Sequence, residues 1–196
     1  MAANPPSVDD LVSRNRSKYA EGYTKSHSVD EVMRGVVKFP SVIVDEVARE
    51  THLQNVGLMT NFITVSCCDP RLIPEEFGLF SREEYVVVRN AGGRAEFAVR
   101  DIVILSTMTE ITDVVIIHHV DCGMTHLTNA GIRESLKSKG LGDDKVDSTE
   151  FGEIKNLEQS VRDDLKFLES SPYIAKSIKL HGYVHDMLDS GRLIRV

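Results

Sequence analysis

Cysteine is scarce in this sequence. The 196-residue chain carries three, an odd number too small for a disulfide framework. Long apolar runs are missing too: stretches such as Val114–Ile117 fall far short of the roughly 20 residues a membrane-spanning helix needs. Met1–Asp10 offers no apolar core of the kind a signal peptide uses. Basic clusters are absent, with 23 Lys and Arg against 30 Asp and Glu, a formal net charge of −7. Phosphate backbones are bound by clustered positive charge, so nucleic acid is a poor first choice of partner. There is no Cys-x-x-Cys pair for thioredoxin-like redox chemistry. Gly92-Gly93 lacks the third glycine of a dinucleotide fingerprint, and no Gly-Lys-Ser/Thr phosphate loop occurs. With 41% hydrophobic and 27% charged residues, the chain has the composition of a protein that folds. These absences lead to the expectation of a globular, cytoplasmic protein whose thiols stay reduced.

Three β-branched segments stand out: Phe62–Ser66, Tyr85–Arg89 and Val114–His118. Near-continuous apolar runs of this length suit strands buried on both faces, as in a parallel sheet. Between the second and third, Glu96–Thr109 places Val99, Ile102, Val103 and Leu105 mainly on one helical face, which predicts a strand–helix–strand unit with a right-handed crossover. A further helix is expected from about Thr125 to Lys139, stopped by Gly140, and residues 140–153 read as an acidic loop. Asn156 can cap the next helix, whose Leu157, Val161, Leu165 and Leu168 recur at helical spacing until Pro172. The tail from Ile178 to Val196 reads as a β-hairpin turning at Asp189-Ser190-Gly191.

Ahead of the first strand, helical patterns occur at Val8, Leu11 and Val12 behind a possible Ser7 cap, at Val29–Phe39 and at Ser41–Glu50. The expected organisation is a single α/β domain with a mainly parallel central sheet flanked by helices. Residues 1–60 form an N-terminal helical arm, packed on the core or on a partner subunit. Residues 61–196 form the core and end in the hairpin.

Reactive residues cluster where the strands end. Cys67-Cys68-Asp69-Pro70-Arg71 follows the first strand, Arg89-Asn90-Ala91-Gly92-Gly93 the second, and His118-His119-Val120-Asp121-Cys122-Gly123 the third. In an open parallel sheet the carboxyl ends lie along one edge, where ligands bind. All three cysteines and two of seven histidines therefore converge on one crevice. Thiolate and imidazole together suit zinc. His119-x-x-Cys122 is a compact two-ligand spacing, and a third ligand from Cys67 would leave the fourth position for water. A closed structural site completed by Cys68 or Asp69 is the alternative. Asp69 and Arg71, two apart on an irregular turn, can form a bidentate ion pair. Gly92 and Gly93 let the backbone pass close to the pocket.

Cys67-x-Asp69-x-Arg71 followed by His119-x-x-Cys122 resembles the signature of the β-class carbonic anhydrases. Arg89-Asn-Ala-Gly-Gly and His118-His-Val-Asp-Cys-Gly-Met resemble its compact branch, which also contains carbonyl sulfide hydrolases. Phe151-Gly, the Gln159-Ser-Val-Arg helix and the closing Gly191-Arg-Leu agree with that branch, and the likeness runs from about Lys18 to the C-terminus. The family spacing to Asp69 selects Cys67 over Cys68 as the ligand.

The resemblance implies one Zn2+ per subunit held by Cys67, His119 and Cys122. It gives Asp69 the role of orienting a metal-activated water, and Arg71 that of holding Asp69 off the metal. It also implies a homodimer or higher homo-oligomer whose N-terminal helices embrace the partner. The expected reaction is reversible hydration of carbon dioxide to bicarbonate. Carbonyl sulfide hydrolysis on the same site is the runner-up, and a non-catalytic carbon dioxide or bicarbonate sensor is a further reading. His118 and His126 are candidates to relay the released proton. Pro70 departs from the Ser or Ala that many members carry, and it stiffens the turn.

Overall fold

A computed structural model of the chain describes residues 7–9, 12–13, 61–73 and 86–196. The helical patterns at Val29–Phe39 and Ser41–Glu50 lie outside the described residues, as does Leu11.

The sheet is built from β1 (Phe62–Cys67), β2 (Val86–Asn90), β3 (Asp113–His119), β4 (Lys179–His185) and β5 (Leu193–Arg195), in spatial order β2-β1-β3-β4-β5. The first four are mutually parallel and only β5 runs antiparallel, beside β4. The C-terminal hairpin is thus an extension of the central sheet rather than a separate appendage. All residues of β1 and β3 are buried, which is why these central strands read as near-continuous apolar runs instead of alternating ones.

Helices α1 (Ala95–Met108) and α3 (Leu157–Ser170) pack on one face, where Ala98, Ile102, Val161 and Leu168 meet Ile63, Val65, Val114 and Ile116. Gly182 lets α3 sit directly on β4, since a Cβ there would come within 2.6 Å of Val161 Cγ1. On the other face Phe62, Val115, Ile117 and Tyr183 pack with Leu72, Met124 and Ile154. Val8 and Val12 are buried in that same cluster, so these two apolar positions of the arm are covered by the chain's own core.

The helix expected from Thr125 starts later, as α2 (Asn129–Ser138). Thr125 turns back instead, donating from both N and Oγ1 to the Cys122 carbonyl in a short 3-10 turn over Gly123–Thr125. Thr128 then caps α2 by accepting from the Gly131 N–H. Asn156 caps α3 as expected, accepting from the Gln159 N–H, and Ser171 closes that helix one residue before Pro172. Among the described residues no helix is long and apolar enough to cross a membrane.

Candidate metal centre

The carboxyl ends of β1 and β3 are hydrogen-bonded neighbours, so the segments leaving them meet without a long reach. Cys67 ends β1, His119 ends β3, and Cys122 follows after a turn in which Asp121 takes a left-handed φ of 55°. The ligand atoms of Cys67, His119 and Cys122 lie within 4.8 Å of one another, and all three residues are buried. The two sulfurs are 3.8 Å apart.

At that distance either thiol can donate a hydrogen bond to the other. The Cys67 thiolate is held down to about 4, chiefly by the hydrogen bond from Cys122, and the same contact pushes the Cys122 thiol up. Cys68 takes no part in this cluster: it is a free, exposed thiol. The structure brings Cys67, and not Cys68, beside His119 and Cys122.

The donor set passes a simple test of fit. His119 Nδ1 faces the Val120 carbonyl at 3.0 Å and the Met187 sulfur at 3.0 Å. A proton on Nδ1 serves those acceptors and leaves the Nε2 lone pair outward. Nε2 is buried with no hydrogen-bond partner, beside two sulfurs with which it can share a cation. A buried acceptor with nothing to accept is costly unless something completes it. Two thiolates and one imidazole form a donor set that suits zinc, with a fourth position open.

The turn after β1 is held by three carbonyl contacts from Arg89: Nε donates to Cys67 O at 3.0 Å, and Nη2 to Asp69 O at 2.7 Å and Leu72 O at 2.6 Å. Gly93 packs against the same segment. A Cβ there would lie 2.8 Å from the Cys67 nitrogen and 2.9 Å from the Ser66 carbonyl carbon, and its φ of +69° is itself a glycine conformation.

Within the turn, Arg71 donates from Nε and its backbone N–H to Asp69 Oδ1, each at 2.9 Å, and from Nη2 to Oδ2 at 2.7 Å. The bidentate pair expected from the sequence is thus formed. Burial works to raise the Asp69 pKa, but the hydrogen bonds from Arg71 outweigh it and hold the carboxyl below its ordinary value. Oδ2 lies 4.0 Å from His119 Nε2, which places this carboxylate at the edge of the donor cluster.

The two candidate relay histidines separate. His118 is fully buried on the opposite face, with Nδ1 2.7 Å from Ser160 Oγ and Nε2 3.1 Å from Asp164 Oδ2. Asp164 also accepts from Arg94 Nε and from the Ala95 N–H at the start of α1. His118 therefore belongs to a structural network joining β3, α1 and α3. His126 is exposed and sits 3.3 Å from Asp121 Oδ1. Asp121 in turn binds Arg71, a role with no local signal in the chain. Met187 and Asp164 were equally silent, since each acts across more than forty positions of chain.

No family model matches the chain. Beta-carbonic anhydrase 1 of Mycobacterium tuberculosis is 28% identical over 134 residues, which cover 67% of this chain and 79% of that protein. Carbon disulfide hydrolase of Acidithiobacillus thiooxidans is 27% identical over 146 residues, covering 65% of this chain and 73% of its own. Among solved structures, carbonic anhydrase from Glaciozyma antarctica has a TM-score of 0.66 at 25% identity, covering 81% of this chain and 99% of that one. Sequence and fold thus carry the same likeness as the Cys-Asp-Arg and His-Cys motifs.

Proposed function

From the chain's resemblance to the β-carbonic anhydrases in motif, sequence and fold, we propose that it is a zinc-dependent enzyme that reversibly hydrates carbon dioxide to bicarbonate. The observation that carries this reading is the buried, partnerless His119 Nε2 beside the Cys67 and Cys122 sulfurs. Cys67, His119 and Cys122 would hold the ion. Zinc so bound supplies a Lewis acid that lowers the pKa of a bound water toward neutrality.

The protein's residues do the rest. Asp69, ionised through its pair with Arg71, accepts the hydrogen bond of the nucleophilic water and aims its lone pair at the substrate carbon. Arg71 holds that carboxylate with three N–H donors. Two thiolates balance the charge of a divalent cation, which suits attack on a small neutral molecule. An ion pair that orients a nucleophile has no use in a purely structural or sensing zinc site.

A second reading is favoured by the carbon disulfide hydrolase among the relatives. Carbon disulfide, carbonyl sulfide and carbon dioxide are all linear and uncharged, with an electrophilic carbon open to the same attack. None needs a charged binding residue, so selection rests on pocket shape. Three free cysteines, two of them buried, suit a reducing compartment, and we place the enzyme in the cytoplasm. Phe97, Ile104 and Met108 leave apolar area exposed along α1, which supports a homodimer or larger homo-oligomer.

The test is kcat/KM for carbon dioxide, carbonyl sulfide and carbon disulfide on one zinc-loaded preparation, because that ratio defines discrimination. The expected result is highest efficiency with carbon dioxide. Rapid hydrogen sulfide release with very slow bicarbonate formation would establish the second reading instead.

A further inference from the structure

We propose that Asp121 is a positioning residue: it grips the Arg71 guanidinium from the β3 side and through it keeps the Asp69 carboxylate turned away from the open metal position. This deepens the metal-centre reading and rests on it. Arg71 is held along two edges. Toward its own loop, Nε and Nη2 donate to Asp69. Toward the loop after β3, Nη1 donates to Asp121 Oδ2 at 2.9 Å and Nη2 to the Asp121 carbonyl at 2.9 Å. The three side chains are well shielded, at 5% exposure for Arg71, 13% for Asp69 and 15% for Asp121, so these charge-assisted contacts are strong ones.

With only one of its edges held, a guanidinium can pivot and carry its carboxylate with it. With both edges held, the orientation of Asp69 is tied to the backbone on either side of the pocket. The distance makes this matter, because Asp69 Oδ2 is already within 4.0 Å of His119 Nε2. A small release would bring the carboxylate into the place the nucleophile needs.

Asp121 is built for the task at some conformational cost. It is the one non-glycine with positive φ among the described residues, at 55°, a region Asp and Asn tolerate better than most residues. Its second oxygen, Oδ1, faces His126 Nε2 at 3.3 Å, so both carboxylate oxygens are engaged, one by Arg71 and one at the solvent side.

The conformation also dictates the test. Asp121→Ala would confound strain with lost contact. Asp121→Gly keeps the backbone and removes the carboxylate, and Asp121→Asn keeps the backbone and one acceptor while removing the charge. Full-length protein of each kind is compared for metal content, melting temperature, 15N NMR signals of the Arg71 guanidinium, and azide titration of the cobalt-substituted form by visible absorption.

The expected result is metal content equal to native in both variants. In Asp121→Gly the separate Arg71 Nη signals merge through faster rotation, and azide binds about tenfold more weakly because Asp69 competes for its place, the scale of one lost buried contact. Asp121→Asn falls between, and kcat drops in the same order with little change in KM. Native azide affinity and native Arg71 signals in Asp121→Gly would overturn the proposal. If that variant does not fold, the same two readouts on Asp121→Asn decide it. Azide and NMR report on Asp121 even if none of the three gases is turned over, so failure of the functional reading is seen separately.

Discussion

His118 and His119 are adjacent in β3, yet their imidazoles serve opposite faces of the sheet. His118 Nε2 meets the Asp164 carboxylate at 3.1 Å, while His119 Nε2 is buried without a hydrogen-bond partner beside two cysteine sulfurs. Strand alternation alone separates a structural group from a candidate metal donor.

That separation can be read out by mutation. His118→Ala should destabilise the fold by about 1–3 kcal/mol, the cost of leaving buried partners unsatisfied, while retaining the metal. His119→Ala should abolish metal binding. Urea unfolding with zinc analysis checks both, and loss of zinc from the His118 variant with retention in the His119 variant would reverse the assignments.

Cysteine substitution makes the parallel distinction within one dipeptide. Cys67 is buried in the cluster and Cys68 is exposed. Cys67→Ser should strip the metal and Cys68→Ser should keep it, as native mass spectrometry would show. The opposite pattern would remove Cys67 from the site.

Gly93→Ala should damage the centre without touching a donor. Its Cβ would meet the Cys67 backbone nitrogen at 2.8 Å, and backbone on both sides leaves little to yield. The left-handed φ adds about 1–3 kcal/mol of strain. Both a lowered unfolding midpoint and weaker zinc affinity are expected. A native midpoint would mean the close approach does not persist in solution.

Acid stability should depend on His185. Burial lowers its pKa to about 4, against about 6.5 in an unfolded chain. Between those values the unfolded state binds more protons, so stability rises with pH across that window and is lost as pH falls through it. The sum over the window is on the order of 3 kcal/mol. His185→Phe should flatten this limb of the stability curve between about pH 6.5 and 4, as urea midpoints against pH would reveal. An unchanged slope would mean His185 is solvated in the native state.

Much of this architecture was legible because its signals are local. Continuous β-branched runs marked β1 and β3, and Asn156 marked the start of α3. The strand-end placement of Cys67, His119 and Cys122 followed from one topological rule. The start of α2 was less legible, because Thr125 and Thr128 are both plausible caps and the choice turns on where the Cys122 carbonyl points. Long-range pairs left no trace in the sequence. Arg71 and Asp121 are 50 positions apart, and their contact depends on a left-handed turn at Asp121 that no neighbouring residue signals. The apolar Val8 and Val12 could equally have served a second subunit, and the core cluster that covers them in this chain is assembled from segments distant in sequence.

The central claim is that Cys67, His119 and Cys122 hold the zinc on which turnover depends. Its most direct test is to add zinc stepwise to metal-free protein while following carbon dioxide hydration by stopped flow. The expected rate rises linearly and breaks at one zinc per chain. Saturation with zinc at that stoichiometry and no acceleration over the uncatalysed reaction would contradict it.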